Sequence, residues 1–145
     1  MKNQLIRTED QKLAYSIAKR AHGTQLYGTQ PYVDYHIIGV VKILRDLGYM
    51  NGYITVALLH DILEDTEVTE QTLYTLFDSD IVEAVKLLTK TKDVTRQEYL
   101  NNIKNNPLAL FVKVADSTFN MNENLRNKNM KRASLYAENL HILTS

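Results

Sequence analysis

The sequence predicts an all-α fold, a single-domain bundle of about seven to eight helices. Apolar residues recur at helical spacing along most of the 145 residues, and no strand-like alternation stands out. Only 5 Gly and 2 Pro interrupt the chain, and residues typical of helix starts precede several apolar segments. No internal repeat, low-complexity segment or linker is present, so residues 1–145 are expected to form one domain.

Two helices are expected in the first third of the chain. Thr8 followed by Gln11 forms a capping box, which predicts a helix start at that point. A loop rich in Gly, Thr and Gln follows at residues 23–31. The second helix is expected at about residues 34–47, carries His36 near its start and ends before a glycine.

The rest of the chain is also predicted to be helical. The apolar run at residues 54–59 is expected to continue as one buried helix through residues 60–66. Thr95 with Glu98 makes a second capping box, and Asn106-Pro107 is a strong helix start. The other expected helices lie at about residues 70–77, 81–89, 96–105, from 107 through an apolar run up to Asp116, and 127–143.

The composition excludes several functions. Lys+Arg and Asp+Glu each number 17, and a net charge of +0 argues against a general nucleic-acid-binding protein. Without cysteine the chain has no disulfide, zinc-thiolate site or cysteine nucleophile. The polar N-terminal residues lack a signal-peptide core and no apolar run approaches the length of a membrane span, so we expect a cytoplasmic protein without membrane contacts.

The most informative stretch is HDILEDT at residues 60–66. If the helix continues, His60 and Glu64 lie one turn apart on one face, as do Asp61 and Asp65. Three carboxylates at a helix C-terminus are unfavourable, because that end carries partial negative charge and two charges about 4 Å apart repel by about 4 kcal/mol at an effective dielectric of about 20. A divalent cation would reverse this balance, so the stretch predicts a metal site.

Three apolar helices each carry a metal-ligating group at one end: His36, the pair His60-Asp61, and Asp116. Taken singly, a histidine at a helix start is more often a capping or core residue, and an aspartate after an apolar run is more often a cap. Together, two imidazoles and two carboxylates make a mixed nitrogen and oxygen site, which suits manganese, iron or zinc.

These motifs resemble the HD-domain metal phosphohydrolases, most closely the hydrolase domain of Rel/Spo-type enzymes and the small alarmone hydrolases. The matching stretches follow the family's order through nearly the whole chain. Besides HDILEDT they are Ala21-His22-Gly23, Gly28 with Pro31-Tyr32, His36 with Gly39-Val40, Leu88-Thr89-Lys90, Asn106-Pro107, VKVAD at residues 112–116, and Asn120-Met121. The resemblance implies an HD-type helical bundle and a hydrolase that removes the 3′-pyrophosphate from guanosine tetra- and pentaphosphate, (p)ppGpp.

The resemblance also implies roles for the motif residues. Glu64 and Asp65 match the acidic pair held near the attacking water, where a carboxylate orients or deprotonates that water. One divalent ion, expected to be Mn²⁺, lowers the pKa of its water and polarises a phosphoryl oxygen. The residues that match its ligands are His36, His60, Asp61 and Asp116.

Further residues are expected to bind the nucleotide. Asn120 matches a substrate-contacting asparagine, and Tyr136 resembles a tyrosine of the family's last helix. Lys90 and Lys113 lie in matching motifs and are candidates for binding phosphate, although Lys113 equally fits a salt bridge to one of the acids. Basic candidates outside the matching motifs are Lys92, Arg126, Lys128, Lys131 and Arg132.

The nucleotide pocket departs from the family's pattern. An Arg-Lys pair usually precedes the Gly-x-Pro-Tyr element and its arginine packs on guanine, but residues 25–30 contain no basic residue. Tyr27 is the candidate for stacking on the base instead. After Asp116 the family usually has Arg-Leu-His-Asn, whereas residues 117–120 are STFN and keep only the asparagine.

Three functions remain open. The first is a metal-dependent hydrolase of alarmones or a closely related nucleotide, and the second is an HD-type phosphatase of another nucleotide or a phosphorylated cofactor. The third is a non-catalytic, metal-containing nucleotide-binding module, against which the intact Glu64 and Asp65 argue. Each has a small-molecule partner. We also expect hydrolysis without synthesis, because the sequence has no candidate synthetase domain.

Overall fold

The chain folds as a bundle of α-helices in the computed structural model, which describes residues 2–145 and the side chains from residue 4 onwards. The α-helices are α1 (Lys2–Leu5), α2 (Glu9–His22), α3 (Ile38–Asp46), α4 (Gly52–Leu59), α5 (Ile62–Asp65), α6 (Glu70–Leu76), α7 (Ser79–Leu87), α8 (Arg96–Ile103), α9 (Pro107–Arg126) and α10 (Met130–Thr144). Within residues 2–145, eight of these helices have seven or more residues. The all-α prediction is therefore confirmed.

The predicted helix starts are in place because each is a local hydrogen-bonding motif. Thr8 Oγ1 accepts a hydrogen bond from the N–H of Gln11 at 3.1 Å, and Gln11 Oε1 accepts from the N–H of Thr8 at 3.3 Å. The same reciprocal pair joins Thr95 and Glu98 at the start of α8. Asn106 caps α9 through its side chain.

Two helices differ from their predicted form. The helix expected at residues 34–47 begins as a π-helical turn, Tyr32–Ile37, and becomes α-helical only at α3. α9 runs for 20 residues, so Asp116 lies in its middle and not at its end as the sequence suggested.

The helix expected to run unbroken through HDILEDT is interrupted after Leu59. Every residue of α4 from Ile54 onwards is buried, so a continuing helix would carry its carboxylates into apolar surroundings, which is unfavourable. The chain turns at His60 and Asp61 instead, and α5 then places Glu64 and Asp65 at the surface. The prediction that His60, Asp61, Glu64 and Asp65 share one face of a continuous helix is therefore wrong.

A two-stranded antiparallel hairpin, β1 (Leu26–Tyr27) and β2 (Gln30–Pro31), occupies the loop expected at residues 23–31. Strands of two residues are too short to produce a detectable alternation of apolar and polar residues. Gly28 adopts φ 60° at the turn, a conformation that glycine tolerates without strain.

The buried core lies around α4, which packs against α2, α3, α7 and α9. α10 covers α9 and α8 on one side of the bundle. α3 and α9 approach each other closely at Gly39, where a Cβ atom would lie 2.2 Å from Cε2 of Phe119. In residues 2–145, no helix combines the length and apolarity needed to cross a membrane.

Candidate metal centre

The fold brings the four predicted ligand residues into one cluster. One ligand atom from each lies within 4.8 Å of all the others. Protein ligands lie about 2.0–2.2 Å from a transition-metal ion, so two ligands of one ion are at most about 4.4 Å apart. The cluster therefore needs only a small contraction to enclose an ion. Its members are His36, His60, Asp61 and Asp116.

His36 enters the cluster from the π-helical turn, a type of irregularity that often occurs at functional sites. Its side chain is 2% exposed. Nε2 of His36 lies 3.0 Å from Oδ1 of Asp116 and 3.8 Å from Oδ2 of Asp61. The imidazole therefore faces both carboxylates.

His60 is held in the orientation that a metal ligand requires. Its Nδ1 lies 2.6 Å from the carbonyl oxygen of Ala57 and donates a hydrogen bond to it, which directs Nε2 at the cluster. Nε2 is buried, 3.2 Å from Oδ2 of Asp61 and 3.3 Å from Oδ1 of Asp116. Nε2 therefore points into the cluster between the two carboxylates, where a bound cation would take the place of its proton.

The charges of the cluster keep its carboxylates ionised. Burial alone would raise the pKa of Asp116, but Lys113 and the two histidines outweigh it and hold the pKa well below its ordinary value. Burial likewise opposes the shift of Asp61, whose pKa falls to about 2 because of His60, with a smaller effect of His36. The donor set thus combines two imidazoles with two carboxylates, which fits a divalent transition metal.

Neighbouring side chains orient the two carboxylates. Lys113 Nζ donates to Oδ2 of Asp116 at 3.1 Å and Asn120 Nδ2 lies 3.3 Å from its Oδ1, while the hydroxyl of Tyr32 donates to Oδ2 of Asp61. Of the two interpretations of Lys113, the structure shows the salt bridge. Tyr32 had no predicted role, and its only signal in the sequence was the matching Pro31-Tyr32 stretch.

The acidic pair Glu64 and Asp65 lies outside the cluster on α5. Oε1 of Glu64 accepts a hydrogen bond from the main-chain N–H of Lys90 at 2.9 Å. Burial and the nearby charges of Asp61 and Asp65 raise the pKa of Glu64, although the Lys90 N–H acts against this. Oδ2 of Asp65 accepts a hydrogen bond from Nε2 of Gln25 at 3.2 Å. Both carboxylates are therefore positioned by neighbours that the sequence did not indicate.

An open cleft of about 310 Å³ lies beside the cluster, between the hairpin and the ends of α9 and α10. Tyr27, Asn120 and Tyr136, all predicted to bind the nucleotide, are in its lining. The hydroxyl of Tyr27 donates to Oδ1 of Asn120 at 2.7 Å. Arg132 also lines the cleft, with Nη2 3.2 Å from the hydroxyl oxygen of Tyr136.

The other basic candidates are not in the cleft lining. Nζ of Lys90 donates to the carbonyl oxygen of Val94 at 2.9 Å, so this side chain is bound to its own loop. Arg126 pairs with Glu123 at 2.8 Å. The remaining candidates, Lys92, Lys128 and Lys131, have exposed side chains.

The fold and the cluster define a class: helical proteins in which two histidines and two aspartates, carried by a π-helical turn, the turn after α4 and the middle of α9, meet in one group that could hold a metal ion. This chain belongs to the HD domain family, which it matches over residues 14–143. The sequence resemblance is thereby confirmed.

Three similar proteins illustrate the range of relatives. The guanosine-3′,5′-bis(diphosphate) 3′-pyrophosphohydrolase of Haemophilus influenzae is 34% identical over 138 residues, which is 87% of this chain and 20% of that protein. The bifunctional (p)ppGpp synthase/hydrolase SpoT of Escherichia coli K12 is 33% identical over 159 aligned residues, 97% of this chain and 22% of SpoT. The GTP pyrophosphokinase rsh of Brucella ovis is 34% identical over 120 residues, 74% of this chain and 16% of that protein. The chain thus spans about a fifth of the length of these curated relatives.

A solved structure has the same fold. It belongs to a metazoan ortholog of SpoT described as hydrolysing ppGpp, and it superposes with a TM-score of 0.74 at 25% sequence identity. The match covers 92% of this chain and 86% of the other.

Proposed function

We propose that this chain is a metal-dependent phosphohydrolase that removes the 3′-pyrophosphate of (p)ppGpp or a closely related nucleotide. The observation that carries the proposal is the buried two-histidine, two-aspartate cluster with an acidic pair on the next helix. Relatives whose names state this activity, and a similar structure described as hydrolysing ppGpp, support the substrate class.

The cluster is the proposed site of one divalent ion. Its mixed nitrogen and oxygen donors fit manganese, iron or zinc, and we favour Mn²⁺ because the chain resembles the HD-domain alarmone hydrolases. The position of His60 Nε2, buried and 3.2 Å and 3.3 Å from the carboxylates of Asp61 and Asp116, supports this assignment. A divalent ion there would supply Lewis-acid stabilisation to a phosphoryl oxygen and make a water molecule a better nucleophile at neutral pH. The protein's own contribution is to fix the tautomer of His60 through Ala57 and to hold Asp116 through Lys113.

Glu64 and Asp65 are the proposed acid–base groups. The raised pKa of Glu64 brings its proton exchange closer to neutral pH, which favours it as the residue that takes or returns a proton. Asp65, which accepts a hydrogen bond from Gln25, is the proposed partner that orients the attacking water. Hydrolysis would form a bond from the water oxygen to the phosphorus attached to the 3′ oxygen and break the bond between that phosphorus and the 3′ oxygen. Pyrophosphate is released, and the 3′ oxygen leaves as a hydroxyl that takes up a proton given up by the water.

The cleft beside the cluster is the proposed nucleotide site. Asn120 lines the cleft and also contacts the ligand residue Asp116, so a nucleotide bound there has its phosphates close to the metal centre. Tyr27 and Tyr136 offer aromatic surface and Arg132 offers positive charge. An arginine at this position suits phosphate, because a guanidinium forms paired hydrogen bonds with phosphate oxygens.

A second candidate keeps the same chemistry but acts on a nucleotide or phosphorylated cofactor that carries fewer charges. Arg132 is the one basic side chain in the described lining of the cleft, and Lys113 is already paired with Asp116. An alarmone brings about five or six negative charges that need neutralising groups. This shortage of basic side chains in the cleft favours a substrate with fewer charges, and the intact Glu64 and Asp65 argue against the non-catalytic module.

The decisive experiment is a panel assay of Mn²⁺-loaded protein. The substrates are ppGpp and pppGpp, GTP and GMP, and phosphorylated dinucleotide cofactors, with products separated by ion-exchange chromatography. We expect release of pyrophosphate from (p)ppGpp and much slower release of phosphate from the others. Hydrolysis of another ester in preference to (p)ppGpp would establish the second candidate, and no turnover on any of them would overturn the enzymatic proposal.

A further inference from the structure

A chain of two side-chain hydrogen bonds connects the buried histidine at the end of α2 with the acidic pair. Nδ1 of His22 lies 2.8 Å from Oε1 of Gln25, and Nε2 of Gln25 lies 3.2 Å from Oδ2 of Asp65. Nothing in the proposed chemistry uses His22 or Gln25 directly. The chain of hydrogen bonds nevertheless ends at the carboxylate of Asp65, which belongs to the proposed acid–base pair.

The direction of these hydrogen bonds is determined by Asp65. An ionised carboxylate only accepts hydrogen bonds, so the Gln25 amide must present its nitrogen to Asp65. Its oxygen then faces His22, which must therefore donate from Nδ1. The contacts therefore require His22 to carry a proton on Nδ1.

The other ring nitrogen of His22 agrees with this tautomer. Nε2 is buried and has no hydrogen-bond partner among the described residues. With the proton on Nδ1, Nε2 carries only a lone pair and no donor is left unpaired. The alternative tautomer would bury an unpaired N–H and break the contact to Gln25, both of which are unfavourable.

Gln25 is rigidly placed by its main chain. Its N–H donates to the carbonyl oxygen of His22 at 3.0 Å, and its carbonyl oxygen accepts from the N–H of Tyr32 at 3.0 Å. The ring of His22 is 6% exposed and lies 5.0 Å from that of Tyr32. Tyr32 in turn donates to the ligand residue Asp61. The segment that places Gln25 against Asp65 therefore also contacts the metal cluster.

We propose that His22 and Gln25 are positioning residues that hold the Asp65 carboxylate in one orientation toward the metal cluster. The inference rests on the proposed function, since it assigns these residues to the hydrolysis in which Asp65 takes part. Asp65 is exposed on a helix of four residues, so its side chain has few other restraints. A fixed orientation avoids the loss of rate that follows when a reacting group is misplaced.

The first test changes Gln25. Gln25→Glu keeps the size and the acceptor for His22 but replaces the donor to Asp65 by a repelling carboxylate, and Gln25→Ala removes both contacts. We expect kcat to fall about 10- to 100-fold, the usual cost of losing a residue that orients an active-site group, with KM and bound metal unchanged. Gln30→Ala, an exposed glutamine of the same hairpin, is the matched control.

The second test changes His22. The side-chain nitrogen of asparagine can occupy the place of Nδ1 and donate to Gln25, so His22→Asn should retain most of the activity that His22→Leu loses. If His22 only filled space in the core, His22→Leu should retain at least as much activity as His22→Asn. The matched controls are His141→Asn and His141→Leu at an exposed histidine, and both variants are expected to keep the kcat of the parent.

A third measurement does not depend on activity. In ¹⁵N NMR spectra, His22 of the parent is expected to have a protonated Nδ1 and a bare Nε2, and Gln25→Ala should allow the proton to move to Nε2. Two results would overturn this inference and leave the proposed function standing. One is a parent protein in which His22 is protonated on Nε2, and the other is an active parent protein whose kcat is unchanged by Gln25→Glu. A parent that hydrolyses no phosphate ester would overturn the proposed function instead.

Discussion

Tyr27 lies flat against His36, with ring centroids 4.8 Å apart and an interplanar angle of 8°. Its hydroxyl also donates to Asn120. One face of the tyrosine thus covers a residue of the histidine and aspartate cluster, and the hydroxyl contacts a residue of the adjoining cleft. The proposed role of Tyr27 in holding the base therefore has to use the opposite face of the ring.

We predict that Tyr27→Ala raises KM about 10- to 100-fold with little change in kcat, because stacking on a base contributes about 1–3 kcal/mol. Tyr27→Phe keeps the ring and loses only the hydrogen bond to Asn120, so its KM should rise less. Steady-state kinetics on (p)ppGpp measure both variants, and their metal content serves as the control. An unchanged KM in Tyr27→Ala would show that this residue does not hold the base.

Loss of His60 should abolish metal binding. His60→Ala removes the ligand whose tautomer is fixed by Ala57, whereas His141→Ala removes an exposed histidine far along α10 and should bind metal like the parent. Elemental analysis and titration with Mn²⁺ measure the difference. Chelation should also lower the Tm of the parent, because a ligand that binds the native state stabilises it by mass action. Parent-like affinity in His60→Ala would disprove the ligand assignment.

The metal-free protein should lose stability as the pH rises above neutrality. Burial alone would lower the pKa of His60, but Asp61 and Asp116 outweigh it and raise the pKa well above the ordinary 6.5. Because the pKa of His60 is higher in the folded than in the unfolded protein, its protonation stabilises the fold. This stabilisation is fully present below about pH 6.5 and is lost as the pH rises through the pKa of the folded state. The lowered pKa values of the two aspartates contribute stability above about pH 3.8 that is lost on acidification.

Thermal unfolding in the presence of a chelator tests this pH dependence. The Tm is expected to be highest between about pH 4 and pH 6.5 and to decline toward about pH 9. Mn²⁺ should bind more tightly as the pH rises, since a ligating imidazole must be neutral, and should remove the alkaline decline. A metal-free Tm that is equal at about pH 6 and about pH 9 would contradict the raised pKa of His60.

Replacing the acidic pair by amides should remove turnover and leave the metal site intact. Glu64→Gln and Asp65→Asn keep the size and one acceptor oxygen of each side chain but cannot exchange a proton. The loss of an acid–base group typically costs about 100- to 10,000-fold in rate. The control is Glu67→Gln, an exposed glutamate just beyond α5. A double amide variant with near-parent kcat would exclude the acid–base assignment.

Gly39→Ala should destabilise the fold, although alanine normally stabilises a helix relative to glycine by about 0.5–1 kcal/mol. The new Cβ would lie 2.2 Å from Cε2 and 2.7 Å from Cδ2 of Phe119, whose ring packs edge-on against His36 at 4.9 Å. Such overpacking costs about 1–3 kcal/mol, and the displaced ring should weaken metal binding. Urea denaturation measures the loss of stability. The double variant Gly39→Ala with Phe119→Leu should recover part of it, because leucine leaves room for the new Cβ atom. Unchanged or higher stability in Gly39→Ala would contradict the close packing.

The sequence by itself determined the features that depend on neighbouring residues. The capping boxes at Thr8 and Thr95 and the start at Asn106 are hydrogen bonds within a few residues, so they form wherever the segment lies in the fold. The HDILEDT stretch likewise indicated a site, because its crowded charges demand a compensating partner in any helical arrangement. All four predicted ligand residues meet in the structure, although His36 and Asp116 lie far from this stretch along the chain.

Only the tertiary structure decided how these residues are oriented. The helix breaks after Leu59 because α4 is buried among its neighbours, a condition that the local pattern does not contain. The bond from Gln25 to Asp65 joins residues 40 apart, and the bond from Tyr27 to Asn120 joins residues 93 apart. Such contacts arise when helices pack, since packing brings distant side chains within hydrogen-bonding distance whatever their separation along the chain.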